Sequence, residues 1–187
     1  MKRTKLKKNY ALTFIFFILV VFLTYVLYLA VSYNLIKNSL IYLEEDYKKF
    51  ILEKKIDKSK LKTFLSFYSH YQDELNNLPT FFGLFEKEQM LNYINYRKHL
   101  LQSFLYYKDV LDNLEVLKKY AVSICTTPEY AFSREYLRKG LDELELAKNY
   151  LKKKMLFNLD IFREKRFIEA LENALVSLNS FFDNVCG

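Results

Sequence analysis

Hydrophobic positions along this chain form one unbroken block followed by a series of stripes. The block, Ala11 to Tyr33 (ALTFIFFILVVFLTYVLYLAVSY), contains no charge, glycine or proline. At the helical rise it measures roughly 35 Å, more than the ~30 Å hydrocarbon layer of a bilayer. One transmembrane helix is therefore predicted over 9–33, with Tyr10 and Tyr33 bracketing it as interfacial aromatics do. Directly after it, Ile36, Leu40, Leu43, Tyr47 and Phe50 step by four and three, a heptad seam on one helical face. The membrane helix is expected to run unbroken into this one.

Lys54-Lys55-Ile56-Asp57 closes that helix, and Asp57 is placed to cap the next. Leu61, Phe64, Tyr68, Tyr71, Leu75 and Leu78 keep the same rhythm up to Pro79. Two such seams joined by a short connection predict an antiparallel hairpin that returns the chain to the membrane surface near Leu78. From Phe85 to Thr126 no glycine or proline interrupts the chain, so a helix of roughly 60 Å is expected. Its stripe, Met90, Ile94, Leu101 and Phe104, loses phase at Lys108 and resumes as Val110, Leu114, Leu117, Ala121 and Ile124. This rotation predicts two tiers, the first hairpin against the lower half and later helices against the upper. Thr127-Pro128-Glu129 reads as an N-cap, a proline in the first turn and an acid favoured by the helix dipole. That helix carries Leu137, Leu141, Leu144, Leu151 and Met155. After a break at 158–160, Ile168, Leu171, Leu175, Leu178 and Phe182 stripe a last helix. The fold class is all-α: an N-terminal transmembrane helix continuing into an extracytoplasmic antiparallel bundle of about five helices, one of them long. No repeat recurs at solenoid periods.

Composition agrees with helices. A chain that is 51% hydrophobic is not intrinsically disordered, and three Gly and two Pro are too few for a turn-rich β fold. The net charge of +7 looks like a nucleic-acid signal until it is located. Lys2, Arg3, Lys5, Lys7 and Lys8 all lie in the tail 1–8, which leaves only +2 for the rest of the chain. The positive-inside rule then places the tail in the cytoplasm and 34–187 outside the plasma or inner membrane, in the periplasm where there is one. The competing reading is a signal peptide cleaved near Ala30-Val31-Ser32. Such peptides have apolar cores of about 7–15 residues, shorter than this block.

Few residues suggest chemistry. Cys125 and Cys186 are the only cysteines, and counting helix directions brings them to the same end of the bundle, distal from the membrane. In an exported domain they are a candidate disulfide, the other reading being two separately buried thiols. Leu78 to Phe85 (LPTFFGLF) is an apolar connection. Phe81, Phe82, Leu84 and Phe85 either dip into the membrane interface or cap the lower core. His70 and His99 stand alone and lack the Glu three residues before them that a di-iron bundle uses. No CxxC, CxxCH, HExxH, phosphate-binding glycine loop or GxSxG occurs. No catalytic residue, metal or cofactor is therefore expected, and the chain is not read as an enzyme. Lys152-Lys153-Lys154 reads as a solvated face balanced by Asp142, Glu143 and Glu145. The 16 Tyr and 17 Phe are core filling rather than base-stacking platforms, and nucleic acid is not an expected partner.

The function expected is structural: an anchored scaffold or assembly component of a cell-envelope complex such as a secretion system or flagellar motor, with homo- or hetero-oligomeric protein partners. The alternative is a sensory or ligand-binding bundle acting with a separate membrane partner. A scaffold predicts exposed apolar strips, whereas a ligand-binding bundle predicts a closed pocket with convergent polar groups.

Overall fold

The computed structural model describes residues 2–51, 57–79, 84–119, 124–155 and 159–186; the side chains of 2–12, 84 and 85 lie outside that description. Among the described residues there are five α-helices and no strand: α1 (Lys2–Ile51), α2 (Lys58–Asn77), α3 (Leu84–Leu117), α4 (Pro128–Leu151) and α5 (Ile161–Cys186). A 3₁₀ turn, Ile124–Thr126, precedes α4.

α1 is a single helix of 50 residues, about 75 Å long. Among the described residues it holds the one stretch long and apolar enough to cross a membrane by length and composition, and that stretch is almost bare of protein contacts. Phe14, Phe17 and Leu27 all stand exposed. Its hydroxyls are satisfied within the helix, Thr24 donating to the Val20 carbonyl (2.8 Å) and Ser32 to that of Tyr28 (3.0 Å). Cover begins at Leu29 and continues through Tyr33, Ile36, Leu40, Tyr47 and Phe50, all buried, with Leu43 packed at the margin. The 36–50 seam therefore faces the protein's own core. It is not left open for a second chain.

α2, α4 and α5 start where short polar side chains accept from orphan backbone amides. Asp57 accepts from Ser59 N (2.9 Å), Thr127 Oγ1 from Tyr130 N (3.3 Å), and Asp160 from Arg163 N (3.1 Å). α2 stops at an extended Leu78, the conformation that a following proline imposes. Tyr33 donates to the Pro79 carbonyl (3.1 Å), so the α2 exit lies beside the point where the apolar stretch of α1 ends.

α3 is the central helix, and here two expectations need correction. The first concerns its length: it ends at Leu117 rather than near Thr126. Asn113 donates to Ser133 (3.2 Å), which sets the start of α4 level with about residue 118 at equal helical rise. A straight continuation would leave α4 behind. Instead Lys119 N turns back to the Val116 carbonyl (3.0 Å), and Ile124 packs on the core from the 3₁₀ turn. Ala121 lies outside the described residues.

The second correction removes the two tiers. α2 meets α3 from Leu78 with Lys87, through Tyr68 with Tyr93, to Lys58 with Asp112. α4 meets it from Lys154 with Asn92, through Gly140 with Ser103, to Ser133 with Asn113. Both neighbours follow almost the whole of α3. Tyr93, Ile94, Tyr96, Arg97, Leu100 and Leu101 are all buried, so α3 is enclosed on several faces, and its changing stripe reflects this enclosure.

Candidate functional site

The most unusual chemistry lies in the middle of α3. Met90, Ile94, Leu101 and Phe104 leave one heptad position vacant, and Arg97 occupies it. Its side chain is fully buried. The guanidinium forks two carboxylates from different helices. Towards Glu44 on α1, Nε and Nη2 donate at 3.0 and 2.6 Å. Towards Glu164 in the first turn of α5, Nη1 and Nη2 donate at 2.8 and 3.0 Å. Its plane sits among the rings of Tyr47, Tyr96 and Tyr93, 4.5, 5.1 and 5.7 Å from their centroids. Hydroxyls complete the shell: Tyr93 donates to Glu44, Tyr96 donates to Glu164 (2.5 Å), and Tyr68 on α2 meets Tyr93 at 3.1 Å. Arg97 thereby ties α3 to α1 and α5, and the Tyr68–Tyr93 hydroxyl pair adds α2.

Burying such charge is costly unless every group is paired. Arg97 and Lys48, whose ammonium is 3.6 Å from Glu44, balance the two carboxylates. Among the described residues no buried side-chain nitrogen or oxygen lacks a partner. Burial opposes ionisation of Glu164, but the charge of Arg97 and hydrogen bonds from Arg97 and Tyr96 more than offset it, holding the carboxyl below the ordinary range. Burial also disfavours the guanidinium charge, and the surrounding Tyr93, Glu44, Tyr47 and Glu164 outweigh that, so its affinity for the proton is raised further. Burial pushes the Tyr68, Tyr93 and Tyr96 hydroxyls up. The shifts of Glu164, Arg97 and these three tyrosines all run away from neutrality. The arrangement clasps helices together.

Beside the clasp, an open cleft of about 230 Å³ is lined by Tyr47, Lys48, Asp160, Arg163, Glu164 and Phe167. It is smaller than the cavities that enclose drug-sized ligands.

The residues singled out in the sequence lie elsewhere. Cys125 and Cys186 are disulfide-bonded, their Cα atoms 5.5 Å apart, which fastens the 3₁₀ turn to the end of α5. Phe81 and Phe82 fall outside the described residues, as do the side chains of Leu84 and Phe85. Each histidine has a carboxylate neighbour: His70 Nε2 lies 3.3 Å from Glu74, and His99 Nδ1 lies 2.6 Å from Glu143 while its ring stacks on Tyr150. Among the described residues no group of three or more His, Cys, Asp or Glu is disposed to hold a metal. Lys148 bonds Glu172 of α5 at 2.7 Å. Sequence reasoning missed the clasp, although the vacant heptad position at 97 was its signal.

No protein-family model matches the chain, and no curated protein or solved structure matches it.

Proposed function

We propose that this chain is a single-pass membrane protein whose helical domain, outside the cytoplasm, is a structural or assembly component of a cell-envelope complex. The observation that carries this reading is the contrast between inside and outside. Among the described residues every buried side-chain nitrogen and oxygen has a partner, whereas large apolar side chains stand on the outer surface outside the apolar stretch of α1. Phe162 is 64% exposed, Phe132 52% and Phe181 49%. We read these rings as contact points for other proteins, a role exposed apolar surface serves where it is contiguous.

Further features support the reading. Contacts advance along α3 while receding along α2 and α4, the ordering of an antiparallel bundle. The bare apolar part of α1 suits lipid on all sides, and the basic tail favours a cytoplasmic N-terminus. Partners are read as proteins, in homo- or hetero-oligomers.

Photocrosslinking in cells from positions 132, 162 and 181, followed by mass spectrometry, tests this. Discrete protein adducts from at least one position are expected. No adduct from any of them, with the protein present in membranes, overturns the scaffold reading. Protease accessibility of a C-terminal tag in intact spheroplasts tests the orientation, and protection there refutes it.

A further inference from the structure

At the other end of the domain from the disulfide, α1 and α2 form an open cleft of about 350 Å³ lined by Tyr28, Ser32, Leu35, Glu74, Asn77 and Leu78. Its position determines what can fill it. Tyr28 and Ser32 belong to the uncharged run that ends at Tyr33, and Tyr28 lies about 7.5 Å down the helix axis on the apolar side of Tyr33. If α1 crosses a bilayer, this is headgroup depth, where interfacial side chains settle. The opposite wall is the last turn of α2, which brings the carboxylate of Glu74 and the carboxamide of Asn77 to that level.

The polar groups there include three acceptors, the Glu74 carboxylate, the Ser32 oxygen and the Asn77 carbonyl, and two donors, the Asn77 amide and the Tyr28 hydroxyl. Among the described lining residues Glu74 alone is charged, and His70 Nε2 lies 3.3 Å from its carboxylate one turn away. Ser32 has committed its proton to the Tyr28 carbonyl, which leaves its oxygen free to accept. Asn77 adds a carbonyl oxygen. Tyr28 and Leu35, both exposed, give the cleft an apolar side continuous with the lipid-facing surface of α1. A primary ammonium, with one positive charge and three N–H donors, satisfies such a set. A quaternary ammonium has no N–H to donate, and a headgroup with a phosphate but no ammonium offers Glu74 no cation; the phosphate of an amine-bearing lipid is left to the Asn77 amide and the Tyr28 hydroxyl.

We infer that this cleft binds the headgroup of an amine-bearing phospholipid of the phosphatidylethanolamine class. The inference rests on the proposed membrane crossing of α1. The test is native mass spectrometry of the full-length protein in mild detergent with equimolar palmitoyl-oleoyl phosphatidylethanolamine, phosphatidylcholine and phosphatidylglycerol. The wild type is expected to retain phosphatidylethanolamine with roughly tenfold preference, the ratio set by one charge-assisted hydrogen bond. Glu74→Gln, an exposed and non-disruptive change, abolishes the preference, while the control Glu169→Gln on α5 keeps it. Equal retention of the three lipids, or an unchanged preference in Glu74→Gln, overturns the site. Alkaline carbonate extraction of cell membranes reads the anchor separately. A chain that stays in the membrane but shows no preference refutes the cleft alone, and a chain released by carbonate refutes the membrane crossing and the cleft with it.

Discussion

Replacing Arg97 by methionine keeps most of the side-chain volume and removes only the charge and the donors. Glu44 and Glu164, whose side chains are 5% and 13% exposed, then face each other across an apolar side chain. Leaving buried carboxylates without their cation costs about 3–5 kcal/mol, a large part of the stability of an ordinary domain. With a urea slope of about 2 kcal/mol/M, the unfolding midpoint falls by roughly 2 M. Circular dichroism at 222 nm on the full chain in detergent micelles reads this, because α1 and the bundle are both helical. The decisive comparison is the triple variant Arg97→Met, Glu44→Leu, Glu164→Leu, in which no charge is orphaned. It should recover at least half of the loss, since apolar replacement of a buried ion network is often neutral. The Tyr96 hydroxyl, deprived of Glu164, sets the remainder. A loss below about 1 kcal/mol in Arg97→Met, or a triple variant less stable than the single one, refutes the view that the clasp carries its energy in paired buried charge.

Acid supplies a second test. Because the folded Glu164 carboxyl is held below its ordinary value, its contribution is complete above about pH 4.3 and is lost as pH falls through the lower folded value. Urea midpoints of the wild type should drop on acidification below that range, whereas Arg97→Met should lose this dependence or reverse it. Removing the Cys125–Cys186 bond, which joins residues 61 apart, should cost up to about 4 kcal/mol in the chain-entropy model. The thermal midpoint with and without reductant measures it, alongside mobility on non-reducing gels; a Cys125→Ser variant that keeps the wild-type midpoint contradicts it. At Gly140 an added Cβ would already lie 3.3 Å from Leu175 and 3.4 Å from Tyr106, so Gly140→Ile should destabilise by about 1–3 kcal/mol. Thr127→Ala removes the acceptor for Tyr130 N and should cost about 1 kcal/mol.

Local signals carried much of the fold. The seams at 36–50 and 168–182 point inward as their spacing indicates, and Asp57 and Thr127 cap the helices they precede. α3 was harder to read because a helix enclosed by several neighbours has no single stripe, and its end depends on where α4 begins. The clasp was the least legible part. Glu44 sits beside Leu43, which a heptad count selects instead although Glu44 is the more buried of the two. Glu164 resembles an ordinary first-turn acid serving the helix dipole. These carboxylates lie 53 and 67 residues from Arg97 in sequence, and no periodicity connects positions so far apart.

The continuity of α1 has a mechanical consequence. In an uninterrupted helix each residue advances the azimuth by about 100°, so Tyr28 and Glu44 have fixed bearings, about 160° apart around the axis and about 24 Å apart along it. The apolar stretch and the clasp thus share one rotational frame. Inserting a single residue between 34 and 39 would swing one relative to the other by about 100° without altering any side chain in either. The length of this junction is therefore under the same geometric constraint as the core, at its exposed positions 34, 35 and 38 as well as at the buried Ile36.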